Sequence, residues 1–410
     1  MTRQDQGSAR GHLLVGQSGG ATAVINASLV GVVRAALASD AVDGIYGARH
    51  GIEGLLGGDV VDLRREPGAT WDRLLTTPSA ALGSCRYKLQ PEDPQRALDR
   101  LRALGVRFFI YIGGNDSADT AHRIAAAARA ADYDLRVVCL PKTIDNDLPG
   151  TDHCPGYGSA ARFVALATQD SALCTAALPD HYPVKIIEVM GRDAGWLAAA
   201  AALGQRAEGD APHLIYVPER PFARARFLDD VRRVHREHGW VVVVAAETIR
   251  DEDGRKLGEA DQQGADAFGH PLLSGTAQVL VSLVRAELGL RARFDRPGDL
   301  QRMSSACVSA VDRDEAERAG RAAVAAALTG ESDQMVTLVR APGPGYACDT
   351  GLVPLARVAN EQRLLPDDYL DAAGTGVTQA FRDYALPLLG APLPEHGRLR
   401  GVPVAWGSRP

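Results

Sequence analysis

This chain of 410 residues has six cysteines but no CxxC pair and no cysteine–histidine ligand spacing among them, so Cys85, Cys139, Cys154, Cys174, Cys307 and Cys348 read as reduced, buried thiols. It also lacks any uncharged apolar stretch long enough to span a bilayer, and the opening MTRQDQGSAR has no apolar signal core, so a cytoplasmic protein with no membrane partner is expected. An excess of positive charge is missing as well. With 45 Lys and Arg against 51 Asp and Glu, the net charge is -6, which argues against wholesale nucleic-acid binding. Any affinity for phosphate must come from focused cationic sites. No low-complexity tract or short repeat interrupts the chain.

What is present is a recurring unit. The apolar run HLLVG passes through QSGGAT into a segment whose Ile25, Leu29, Val32, Val33 and Ala36 fall at helical spacing. VRFFIYI passes through GGNDS into an alanine-rich helix, and VKIIEVM through GRDAG into WLAAAAAL. RVVCL, HLIYV, WVVVVAA and QMVTLVR read as further buried strands, and DRDE at Asp312 to Glu315 as a capping box. Continuous apolar strands alternating with helices predict an α/β fold of parallel sheets covered on both faces, and the length suits two domains. Such sheets bind ligands beyond the carboxyl ends of their strands, where these polar clusters lie.

Each cluster has a chemical reading and a plainer one. In GQSGGAT, Gly16, Gly19 and Gly20 let backbone amides approach an anion at a helix start, or simply make a tight turn. In GGNDS, Asp116 and Ser117 suit a Mg²⁺ site, or Asn115 or Ser117 caps the helix. PKTIDND gathers Lys142, Thr143, Asp145 and Asp147 after a strand. In an extended segment the two aspartates point the same way, and one can take a hydroxyl proton while Lys142 neutralises a phosphoryl group. The alternative is an Asx turn before Pro149. Arg192 suits a phosphate or pairs with Asp193, Glu247 suits sugar hydroxyls or is a solvated loop residue, and Arg293 and Arg302 flank FDRPGDLQ either as phosphate ligands or as surface residues.

Taken in order, GQSGGATAVINA, LGSCRYKL, YIGGNDS, PKTIDNDLPGTDHCPGYGSAARF, EVMGRDAGWLAAA, DAFGHPLLSG and LQR resemble the phosphofructokinase family over nearly the whole chain. Asp116 and Lys142 stand where ATP-using members carry glycine, and this pair resembles the pyrophosphate-dependent branch. The resemblance implies two Rossmann-like domains with the active site in the cleft between them. Residues 1–157 would bind the phosphoryl donor, 158–300 the acceptor, and 301–410 would complete both. It further implies that Asp145 deprotonates the sugar's 1-hydroxyl with Asp147, Thr143 and Arg192 in support, and that Asp116 holds Mg²⁺. Gly16, Arg86, Tyr87, Asp116, Ser117 and Lys142 would line the donor side. Thr143, Asp145, Met190, Gly191, Arg192, Glu247, Arg293 and Arg302 would line the sugar-phosphate side.

The implied reaction moves a phosphoryl group reversibly from pyrophosphate to fructose 6-phosphate, in a homodimer or homotetramer. Several letters depart from the family pattern: Ala21 for proline, Asn115 for aspartate, Pro183 for an arginine with Lys185 nearby, Thr248 for glycine, Met303 after Arg302, and Asp299 near the sugar phosphate, where an anion weakens binding unless it is paired. The acceptor side therefore also admits another sugar phosphate, such as sedoheptulose 7-phosphate. ATP as donor and a catalytically silent sugar-phosphate sensor are the remaining readings.

Overall fold

The computed structural model describes residues 10–258, 275–343, 345–397 and 399. The motif DAFGHPLLSG lies outside them up to Ser274. Among the described residues the strands are β1 (Gly11–Gln17), β2 (Val42–Ala48), β3 (Val60–Asp62), β4 (Val106–Gly113), β5 (Arg136–Pro141), β6 (Val184–Val189), β7 (Leu214–Tyr216), β8 (Val241–Ala246), β9 (Ala292–Asp295), β10 (Gln334–Arg340) and β11 (Cys348–Pro354). They form a seven-stranded sheet in the order β11-β10-β5-β4-β1-β2-β3 and a four-stranded sheet in the order β7-β8-β6-β9. In the larger sheet only the β2–β3 and β10–β11 pairs are antiparallel, and the smaller sheet is parallel throughout.

The central strands are apolar on both faces because both are covered. In β4, Phe109 and Tyr111 face one core with Leu14, Val137 and Met335, while Phe108, Ile110 and Ile112 face the other with Leu13, Val15 and Val138. Alternation of this kind sends successive side chains to opposite sides, so an unbroken apolar run is what a doubly covered strand requires. The second sheet has its own core around Val241–Ala246, Ile186 and Trp196. Chain beyond Gln301 returns to both units. The helix Ala310–Leu328, β10 and β11 pack with the first sheet, and Leu370, Phe381 and Leu388 join the core of the second.

The helix expected to start at the DRDE box begins earlier. Ser309 is its cap, with Oγ accepting from the Asp312 amide, which frees the Asp312 carboxylate. That carboxylate accepts instead from the amides of Gly156 and Ser159 and from the Ser159 hydroxyl, tying the helix to the segment that follows PKTIDND. Long-range partners for a buried carboxylate outweighed the local capping pattern.

Candidate active site

The carboxyl ends of β1, β4, β5, β6 and β8 face a common cavity of about 640 Å³. Arg86, Asp116, Ser117, Lys142, Thr143, Asp145, Asp147, Met190, Arg192, Glu247 and Arg302 all border it. Gly16, Tyr87, Gly191 and Arg293 do not. Gly16 is inside β1 against Tyr111, and Tyr87 donates its hydroxyl to Asp93. Gly191 is in the turn behind Arg192, where its φ is 141°, and Arg293 stacks over the Tyr182 ring with 3.1 Å to the centroid. Five letters around each motif convey residue type but not which side of the turn meets the cavity.

The donor-side loop is held by a buried amide network. Gln17 donates to Asn26 and accepts from the Leu82 amide, Asn26 accepts from the Ala81 amide, and Ser84 donates to the Gly19 carbonyl at 2.6 Å. Against this loop stand two cations. A Cβ on Gly19 would lie 3.0 Å from Lys142 Nζ, and one on Gly20 only 2.2 Å from Arg302 Nη1. The glycines are therefore needed for closeness of approach. Arg302, expected on the sugar-phosphate side, reaches the donor loop while pairing with Asp299 at 2.7 Å, so the departure at Asp299 is a paired anion. Its buried Nε has no partner.

At the start of the helix Asn115–Ala130, neither alternative cap forms, since the cap residue is Gly114 and no side chain caps it. The Asn115 Oδ1 atom is buried at the cavity without a partner, beside Asp116. An orphaned amide oxygen next to a carboxylate is an all-oxygen donor set that fits a hard divalent cation.

The PKTIDND turn differs from the extended segment expected. Asn146 is left-handed, with φ of 57°, and is fully buried. Its side-chain oxygen accepts from the Cys154 amide and its nitrogen donates to the Tyr384 hydroxyl. Both flanking aspartates still border the cavity. The Thr143 hydroxyl accepts from the Asp145 amide at 3.0 Å. Burial raises the Asp145 pKa against the pull of Arg192 and Lys142. Burial, with the charge on Asp145, pushes Asp147 up to about 6, and burial lowers Lys142 to about 8. A carboxylate beside cations that burial desolvates is suited to accept a proton from a hydroxyl as that oxygen attacks phosphorus.

Across the cavity, Glu247 accepts from the Arg192 amide at 3.1 Å, and burial raises its pKa to about 7. The Thr248 hydroxyl donates to the Arg192 carbonyl, giving this departure a positioning contact on the left-handed Arg192. Glu188 pairs with Arg296 at 2.8 Å, and Gln301 accepts from the Met190 amide. Asn360, Glu361 and Gln362 also border the cavity. Sequence reasoning missed them because the stretch around them is rich in Pro, Gly and Asp and shows no periodicity.

The phosphofructokinase family model matches residues 12–327. A pyrophosphate–fructose 6-phosphate 1-phosphotransferase of Xanthomonas campestris is 43% identical, covering 96% of this chain and 97% of its own. The enzyme of the same name from Rhodospirillum rubrum is also 43% identical, covering 97% and 98%. The crystal structure of pyrophosphate-dependent phosphofructokinase from Nitrosospira multiformis superposes with a TM-score of 0.85 at 35% identity, covering 96% of this chain and 95% of that one.

Proposed function

Because the chain belongs to the phosphofructokinase family, we propose that it transfers a phosphoryl group reversibly from pyrophosphate to the 1-hydroxyl of fructose 6-phosphate, yielding fructose 1,6-bisphosphate and phosphate. The observation that carries this reading is the buried Lys142 ammonium set against Gly19, with Asp116 on the same cavity wall and Asp145 three residues on. Lysine charge suits a short, dense anion with no adenine to grip, while the Asp116 carboxylate crowds and repels the extra phosphate of a nucleotide.

In this reading the first sheet carries the donor and the second the acceptor. Asp145, whose charged form Arg192 and Lys142 favour, takes the proton of the 1-hydroxyl with Asp147 in support, and Thr143, Lys142 and Arg192 stabilise the phosphoryl group in flight. Positioning and charge neutralisation are most of what such a transfer requires. Asp116 and Asn115 would hold Mg²⁺, which supplies charge neutralisation on the donor oxygens. Glu247 and Met190 meet the sugar, and Arg302 lies where the donor and acceptor phosphates approach one another.

A homodimer or homotetramer is part of the proposal, supported by exposed Phe294 on edge strand β9 and by exposed Leu173 and Leu178. A cytoplasmic setting is supported by the six unpaired thiols, of which Cys85, Cys139 and Cys154 are buried as expected, whereas Cys174 is exposed and Cys307 and Cys348 are half-buried. Among the described residues no helix is long and apolar enough to cross a membrane.

Purified protein given fructose 1,6-bisphosphate, phosphate and Mg²⁺ should release pyrophosphate. Asp145→Asn should lower turnover in both directions by about 10²–10⁴-fold. Lys142→Gly combined with Asp116→Gly should weaken pyrophosphate use and admit ATP. Wild-type preference for ATP, or for another sugar phosphate in a side-by-side panel, would reject the donor or acceptor assignment respectively.

A further inference from the structure

The family model ends at residue 327, yet a segment far beyond it reaches the reacting groups. Arg363 is the anchor of that segment. Its guanidinium donates to the carbonyls of Asn146 (2.8 Å), Thr151 (2.7 Å) and Asp152 (2.6 Å), and its backbone amide donates to the Asp147 carbonyl at 2.7 Å. The guanidinium lies over the Trp196 ring, 4.6 Å from the centroid, and the Arg363 carbonyl accepts from the Trp196 indole. One residue earlier, the Gln362 amide donates to Asp147 Oδ2 at 3.2 Å.

We infer that Gln362 and Arg363 are positioning residues for the carboxylate pair, Arg363 holding the left-handed turn between Asp145 and Asp147 and Gln362 orienting the Asp147 carboxylate. A non-glycine residue in the left-handed region persists only where its surroundings over-determine it. Here the surroundings are a planar fork of donors on three carbonyls, together with Tyr384, whose hydroxyl accepts from Asn146 and donates to the Asp152 carbonyl. A lysine in place of Arg363 would keep the charge and lose the fork. The amide of Gln362 favours the charged form of Asp147, and the other groups facing this carboxylate are Asp145, Arg192 and Cys154.

The inference rests on the assignment of Asp145 and Asp147 as the reacting pair. It is tested in the full-length chain with whichever donor and sugar phosphate the wild type turns over, so a wrong substrate assignment is detected separately. Arg363→Lys should lower kcat by about ten- to a hundredfold while both KM values stay within about threefold, because misplacing a general base costs rate more than binding. Gln362→Met should move the acid limb of the kcat–pH profile upward by about one unit, and Gln362→Glu, which adds a third anion, should move it further. A purely structural contact would lower melting temperature without moving that limb. Acid limbs at the wild-type pH in both Gln362 variants would overturn the role of Gln362, and a kcat within twofold of wild type in Arg363→Lys would overturn that of Arg363. Should Arg363→Lys fail to fold, Tyr384→Phe, which removes the hydroxyl shared by Asn146 and the Asp152 carbonyl, tests the same turn by the same kcat criterion, and the two Gln362 variants still decide the role of Gln362.

Discussion

Lys142 illustrates the leverage of a single desolvated cation. With burial holding its pKa near 8, well under the usual lysine value, the ammonium is lost from the free enzyme as pH rises through that point. The KM for pyrophosphate should therefore climb above about pH 8, and Lys142→Arg, which stays charged, should flatten the climb in steady-state kinetics. Asp147 has the opposite sign. Its folded-state pKa of about 6 exceeds that of an unfolded aspartate, so the folded state binds more protons between the two values, and stability falls as pH rises through that window. A shift of about two units corresponds to roughly 3 kcal/mol of stability given up above about pH 6. Asp147→Asn should raise the melting temperature of the ligand-free protein at neutral pH and flatten its decline between about pH 4 and 6, even as turnover drops. A calorimetric pH series with the wild-type slope would count against a costly buried carboxylate.

Among the elements, the helices Ile25–Leu37 and Ala310–Leu328 carry the geometry of the donor loop. They cross with their backbones in near contact. A Cβ on Gly31 would fall 2.0 Å from the Glu317 carbonyl oxygen, and one on Gly320 would fall 2.3 Å from that of Ser28. Neither neighbour is a side chain able to swing aside, so Gly320→Val should force the helices apart and destabilise by about 1–3 kcal/mol or more. Because the first of these helices begins at Ile25, with only residues 21–24 between it and Gly19–Gly20, the same variant should raise the KM for pyrophosphate more than that for the sugar phosphate. Thermal melts and the two KM values check this together. Equal effects on both substrates would place the helix pair outside donor binding.

For the whole molecule, among the described residues the second sheet ends on β9, a strand with one neighbour and with Phe294 44% exposed. An exposed aromatic on an edge strand, here flanked by Arg293 and Asp295, invites burial against another copy. Phe294→Glu should yield a smaller species in sedimentation velocity, and an unchanged sedimentation coefficient would move the interface elsewhere. The apolar strands β1, β4, β5, β6, β7, β8 and β10, the turn-bound polar clusters and the cation–carboxylate composition of PKTIDND were readable from the letters, because apolar runs and turn chemistry are local properties, whereas β2, β3, β9 and β11, without such runs, were not. The resemblance to a known family added the grouping of those clusters into one site. Sequence could not show that Asn146 is left-handed, that Asp299 is paired with Arg302, or that Arg302 reaches Gly20. Nor could it show that Gln362, 215 positions from Asp147, closes the cavity wall. The principal apolar strands and the chemistry of the polar clusters were thus determined by the sequence alone. The orientation of the carboxylate pair was decided only in the tertiary structure, since a buried charge takes its direction and its proton affinity from partners that folding brings beside it.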